Sequence, residues 1–380
     1  MSRLMVDDVT KTDARALLNV NKMAMISDIV APSNEYLYAS GTDELTVAEG
    51  CVIAVGGAGI FKTTNTLLTV ANLDVGSAFT AGSDYYIYIC DNRIDAADEQ
   101  YIISLNSTYP NGWNASNSRK IGGFHYGRCR MTDSNLQPVN RSGIIFGTGW
   151  ESAVSNGIVP RSVWTLGHRP KCSPEGMVYL GGDTWVDIYL NSDDGAKGLK
   201  SAYGCAPMTG TEGMNWYNFS ERLAKSGKRM PNYSEFCAYA FGSPQGLDNA
   251  NTNAWTATTN TGRDITGSVI NAVSAVGCVD AVGRVWEWLN DLVTRAEHAT
   301  SVTHHPTEAW GWDEETPLKT GEQNYDVGNI YQYYANSLAA LGAGGYWADG
   351  ANAGARAVYC TGCPWNVSSG IGGRGACDSM

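Results

Sequence analysis

Glycine and large aromatic rings punctuate this chain, most densely in its carboxyl-terminal stretch. From Gly344 it reads Gly-Gly-Tyr-Trp-Ala-Asp-Gly-Ala-Asn-Ala-Gly, and it continues through Cys360-Thr361-Gly362-Cys363-Pro364-Trp365 to Gly372-Gly373-Arg374-Gly375-Ala376-Cys377. The stretch has no helical period and no strict two-residue alternation, so neither an amphipathic helix nor a half-buried strand accounts for it. A disordered tail would lack Trp347 and Trp365. The reading is an irregular segment packed in place, and the point where the chain meets something. The whole sequence of 380 residues carries 44 Gly, 12 Trp and 20 Tyr. That usage predicts many tight turns and loops held by rings.

A net charge of −12 argues against nucleic acid as the partner, because phosphate binding needs a basic face. No apolar run approaches the roughly 20 residues that span a bilayer. The opening Met1-Ser2-Arg3-Leu4-Met5-Val6-Asp7-Asp8 lacks the apolar core of a secretory signal. The ten cysteines are scattered, with Cys90 in an apolar strand and Cys237 on an amphipathic helix. Free thiols in a reducing cytoplasm are therefore expected during assembly.

Residues 1–33 form an amino-terminal segment with a helical candidate at 11–29, expected to pack on a neighbour or another subunit. Residues 34–163 hold short strands at 36–38, 45–47, 51–55, 67–70 and 85–90, separated by Gly, Asp, Asn and Ser, and they predict a small antiparallel β-sandwich. The tract 130–160 reads as connection. A further region, 164–380, opens with strands at 177–180 and 185–190 around Gly181-Gly182-Asp183. Helices follow at 219–226, capped by Asn218, and at 233–241, capped by Asn232 with Glu235 completing a capping box. A strand is expected over 281–289.

Three motifs occur in order. They are Lys228-Arg229-Met230-Pro231-Asn232-Tyr233-Ser234-Glu235-Phe236, Gly283-Arg284-Val285-Trp286-Glu287-Trp288 and Gly372-Gly373-Arg374-Gly375-Ala376-Cys377. They resemble the marks of the formylglycine-generating-enzyme branch of the C-type lectin fold. Within it, segments such as Ala81-Gly82-Ser83-Asp84-Tyr85-Tyr86 and Arg119-Lys120-Ile121-Gly122-Gly123-Phe124 are similar to retroelement-diversified tropism determinants of bacteriophages, from about residue 45 onward. The first forty residues depart from that pattern. The resemblance implies an α+β chain, with a C-type lectin fold at 164–380 preceded by the small antiparallel β-sandwich. It further implies a homotrimeric receptor-binding display protein on a virion tail fibre, assembled in the host cytoplasm. Its partner would be a host cell-surface protein ahead of a glycan, without nucleic acid or membrane insertion. The surface at 346–371 would vary at Tyr346, Ala348, Gly350, Asn352, Tyr359, Thr361, Gly362, Asn366, Ser368, Gly370 and Ile371. Tyr, Asn, Ser and Gly are also the residue types that recur in antibody paratopes.

The competing readings are weaker. Glu287 between two indoles reads as a buried, hydrogen-bonded acceptor rather than a catalytic acid. Arg356 and Arg374 read as framework donors rather than anion sites. His304-His305 with Asp313, Glu314 and Glu315 reads as a solvated acidic loop, so no metal and no cofactor are expected. The alternative from another class is a formylglycine-generating-type thiol oxidase using Cys360 and Cys363, which would make the chain an enzyme. Cysteines three apart without the Arg-rich, Ser-rich setting of that oxidase disfavour it.

Overall fold

The computed structural model describes residues 29–56, 59–91, 99–130, 132, 154–244, 262–294, 311–313, 330–332 and 338–380. The helix expected at 11–29 lies outside them except for its last residue, Ile29, which opens a strand; His304-His305 lie outside as well. The chain divides into two compact units. Residues 128–161 and 170–379 make up the second unit, and the rest of the described chain makes up the first.

The strands described in the first unit pair antiparallel. One three-stranded sheet joins β1 (Ile29–Val30), β4 (Val52–Val55) and β5 (Gly59–Lys62). Another joins β2 (Leu37–Ala39), β3 (Leu45–Val47) and β6 (Thr66–Leu68). Longer strands β7 (Ser83–Asp91), β8 (Glu99–Ser104) and β9 (Ser118–Arg130) follow. On β9, Gly122 and Gly123 give close passage to β11 (Trp164–Thr165), whose Trp164 indole would lie 2.8 Å from a Cβ at Gly123. The tract read as connection contains β10 (Val154–Ile158).

The second unit includes β10 and, past residue 170, the hairpin β12 (Met177–Gly181) and β13 (Thr184–Asp187). Its turn places Gly182 and Asp183 at φ of 55° and 62°. A small ladder of β14 (Asn191–Asp193) and β15 (Leu199–Ser201) comes next. Helix α1 (Trp216–Lys225) starts earlier than the sequence suggested, because Asn215 rather than Asn218 caps it, accepting from the Asn218 amide. Helix α2 (Tyr233–Ala240) has the expected capping box between Asn232 and Glu235.

A six-stranded sheet runs in the order β17 (Gly311–Asp313), β18 (Ile330–Gln332), β20 (Val358–Gly362), β19 (Leu338–Ala343), β16 (Trp286–Thr294), β21 (Ile371–Gly372). The strand expected at 281–289 therefore starts later and runs further. Its two-residue alternation divides the core. Trp286 and Trp288 join Met208, Phe219, Leu223 and Met230. Leu289 joins Val186, Phe236, Tyr239 and Val279. Burying each such side chain contributes roughly 1.5–3 kcal/mol. The last strand, β22 (Ala376–Asp378), pairs with β13 rather than with β12, the first strand of the hairpin.

Candidate functional site

A buried ionic frame underlies the carboxyl-terminal segment. Arg374 forks onto Glu287, with Nε 2.7 Å from Oε2 and Nη2 2.8 Å from Oε1. Its remaining N–H groups donate to the carbonyls of Asp187, Ile188 and Val279. The Tyr239 hydroxyl also donates to Glu287 Oε2, at 2.8 Å. Burial pushes the Glu287 carboxyl up and the Arg374 guanidinium opposes that shift; the two-pronged geometry requires a carboxylate. A second pair sets Lys228 Nζ 2.6 Å from Asp187 Oδ1, while Asp187 Oδ2 accepts from Asn191 and the Gly375 amide. A third joins Arg284 to Asp280. Glu287 and Arg374 thus take the structural roles read from the sequence.

The carboxyl-terminal segment is held on this frame by its backbone. Gly344 and Gly345 hold left-handed φ of 93° and 85°, and an added Cβ would lie 2.5 Å from the Ala281 carbonyl or 2.6 Å from Ala353. A side chain there would be both strained and crowded. Next, the Tyr346 amide donates to Asp349 Oδ2 at 2.8 Å and the Asp349 amide returns to the Tyr346 carbonyl, closing a turn. Tyr233 Oη donates to the Arg356 carbonyl. The carbonyls of Pro364, Ser368 and Gly370 accept from the amides of Trp216, Gly210 and Trp286.

On the outer side of this backbone lies a hollow of about 290 Å³ lined by Trp286, Tyr346, Asp349, Tyr359, Asn366, Val367, Ser368, Gly370 and Ile371. It brings together Tyr346, Tyr359, Asn366, Ser368, Gly370 and Ile371 of the positions named from the sequence. The Trp286 and Tyr359 rings are 5.6 Å apart. Burial raises the Asp349 carboxyl to about 7, against the Tyr346 amide that lowers it. Ala348 is exposed, and Gly350 and Asn352 are half-buried in a short 3-10 turn beside the hollow.

Not every named position offers an outward group. Thr361, Gly362, Gly370 and Ile371 are buried, because β20 runs between β18 and β19 and β21 lies along β16. A Cβ at Gly370 would come 2.7 Å from the Tyr346 ring, and one at Gly362 2.6 Å from the Tyr359 ring. These residues form the floor on which the tyrosines lie. Trp365, read as a framework ring, is instead 57% exposed, as is Val367 at 56%. Trp347 is the framework ring, packed on Val269 and Ala272. Sequence reasoning missed Trp286, Asp349, Trp365 and Val367 as surface or lining groups. The one available signal was the alternation of Asp349, Trp365 and Val367 with the named positions, and nothing local marked Trp286.

A larger hollow of about 400 Å³ over α1 is lined by Asp193, Lys197, Glu221, Arg222 and Lys225 among others. Its charges pair with one another, Arg222 with Asp193 and Lys225 with Glu221, in solvent. Among the described residues no cluster of His, Cys, Asp and Glu could hold a metal ion.

Residues 35–151 match the family model of the Mtd second domain. The chain is 28% identical over 361 residues to the tail fiber receptor-binding protein of Bordetella phage BPP-1, covering 90% of this chain and 81% of that protein. The chain resembles the phage tropism determinants. Its structure superposes on the Major Tropism Determinant M1 variant with a TM-score of 0.67 at 24% identity, covering 96% of this chain and 87% of that one. For the U1 variant the TM-score is 0.66 at 25% identity, covering 95% and 88%. The mostly-β fold with few helices is the fold of these tropism determinants.

Proposed function

We propose that this chain is a receptor-binding protein of a phage tail fibre. It attaches the virion to its host through the face built by residues 346–371 of a carboxyl-terminal C-type lectin fold. The observation that carries the reading is the hollow walled by Tyr346, Tyr359 and Trp286 and rimmed by Asn366 and Ser368. Rigid aromatic area beside small polar groups is the chemistry of an adaptable paratope. The backbone there is pinned before any partner arrives, which limits the entropy lost on docking. The small amino-terminal β-sheets form the antiparallel sandwich that precedes this fold in the chain.

In the fuller proposal three copies assemble, so weak single contacts add through avidity. Codons of the display segment are rewritten by a retroelement, and the receptor is a host-surface protein rather than a glycan. The Bordetella phage relative is a tail fiber receptor-binding protein, which offers the thiol-oxidase alternative no support. Cys360 is felt by Tyr233 and Cys363 by Tyr359. Cys360 lies on β20, whereas Cys363 lies beyond its end.

The test is binding of purified protein to host cells. Tyr346→Ala and Tyr359→Ala are each expected to weaken it about tenfold or more, as truncated aromatic anchors do, while thermal midpoints stay within a few degrees. Binding unchanged in both variants would overturn the assignment. Protease treatment of the cells should abolish binding where glycosidase treatment does not. A mass three times that of one chain in light scattering checks the trimer. A near-copy of the 3′ coding sequence beside a reverse transcriptase gene checks diversification.

A further inference from the structure

The carboxyl-terminal strand brings two distant cysteines together. Pro170 faces Ser379 across an antiparallel bridge, and the Lys171 amide donates to the Asp378 carbonyl at 2.9 Å. Carrying that register one residue further sets Cys172 across from Cys377. Contacts agree, since the Cys172 amide donates to Cys377 Sγ at 3.3 Å. Cys377 Sγ also reaches the Gly227 carbonyl at 3.6 Å, and Cys172 Sγ lies 3.4 Å from Met177 Sδ and 3.5 Å from the Ser173 carbonyl. Directly opposed residues on antiparallel strands have Cα atoms about 4.5–5.5 Å apart. That spacing lies inside the range a disulfide requires.

We propose that Cys172 and Cys377 are a modification site, oxidised by a small-molecule disulfide to an intramolecular bond that ties the segment before β12 to the last strand of the second unit. The environment prepares the two thiols differently. The interaction with the Cys172 thiol and the amides of Cys172 and Lys171 hold the Cys377 thiol well below its ordinary value, against burial. The interaction with Cys377, followed by burial, raises Cys172.

The Cys377 thiolate, the one held low, attacks one sulfur of the oxidant and expels the first thiolate. Cys172, on losing its proton to water, then attacks Cys377 Sγ in the mixed disulfide and expels the second. Two protein thiols and one disulfide become one protein disulfide and two small thiols. Two electrons pass to the oxidant, and the two thiol protons end on the released thiolates. The bond would close a loop of roughly 200 residues, a length at which cross-linking removes much of the unfolded chain's freedom.

The experiment equilibrates the reduced full-length protein with glutathione disulfide, alkylates the remaining thiols and maps peptides by mass. The expected product is a peptide joining Cys172 to Cys377, with a thermal midpoint about 5 °C or more above the reduced form. Cys172→Ser and Cys377→Ser should each lack the linked peptide and the midpoint rise. Full alkylation of both cysteines after oxidation, or linkage of either to another cysteine, would overturn the proposal. So would a linked peptide with no change in midpoint between oxidised and reduced forms.

Discussion

Arg374 is completely buried with its guanidinium N–H groups directed to acceptors, whereas Trp365 and Asn366, a few residues earlier, stand in solvent. Both belong to the same glycine-rich stretch, so composition does not separate them. What separates them is partnership. The frame invests its contacts in Glu287, Asp187, Tyr239 and backbone carbonyls. The face at 346–371 is held mainly by main-chain bonds, and it leaves Ala348, Trp365, Asn366 and Val367 exposed. On the proposed function, stability resides in groups that cannot be exchanged singly, and recognition in groups that can.

Breaking the frame is the largest test of that contrast. Arg374→Ala leaves the Glu287 carboxylate buried and unpaired, an uncompensated charge that costs about 3–5 kcal/mol. Denaturant unfolding should show that loss or outright failure to fold. A midpoint within a few degrees of the parent would erase the distinction between frame and face.

The floor of the hollow comes next. Gly370→Ser meets the Tyr346 ring, and overpacking of this kind costs about 1–3 kcal/mol. Tyr346→Ala in the same chain should relieve most of it, since touching residues couple by about 0.5–3 kcal/mol. Simple additivity in a double-mutant cycle would show that ring and glycine do not share the space.

A smaller effect concerns pH. Folding lifts the Asp349 carboxyl from its ordinary 3.8 to about 7. The protonated form is thus the one the fold favours. Its contribution is fully present below about 4 and is lost as pH rises through 7. Asp349→Asn should flatten that part of the stability profile and gain midpoint relative to the parent at pH 8. Thermal melts at pH 5 and 8 check the sign. Smallest of all is Trp365→Ala, expected to change stability by no more than about 0.5 kcal/mol while reducing cell binding. A large stability loss would place that ring in the frame.

The legible parts of the sequence were those with local chemistry. Asn232 and Glu235 announce α2 because a capping box is complete within four residues. Gly181-Gly182-Asp183 announces the β12–β13 hairpin because only such residues accept those angles readily. The start of α1 was read at Asn218, whereas Asn215 caps it. Long-range bonds decide it, from the Trp216 indole to the Leu289 carbonyl and from its amide to Pro364. The apolar tract 281–285 reads as strand, yet it is a buried loop whose Asp280 sits at a φ of 57° and pairs with Arg284. At the candidate site, chain order separates Trp286 from Tyr359, and only the sheet brings their rings together. In a tail without period, nothing local marks Trp347 as packed and Trp365 as free.

The pleat of β16 puts Trp286 and Glu287 on opposite sides of the sheet, one at the wall of the hollow and the other in the grip of Arg374. A single peptide bond therefore joins the lining of an open hollow to a fully buried charge. Whatever disturbs one side of that strand reaches the other through one link of backbone.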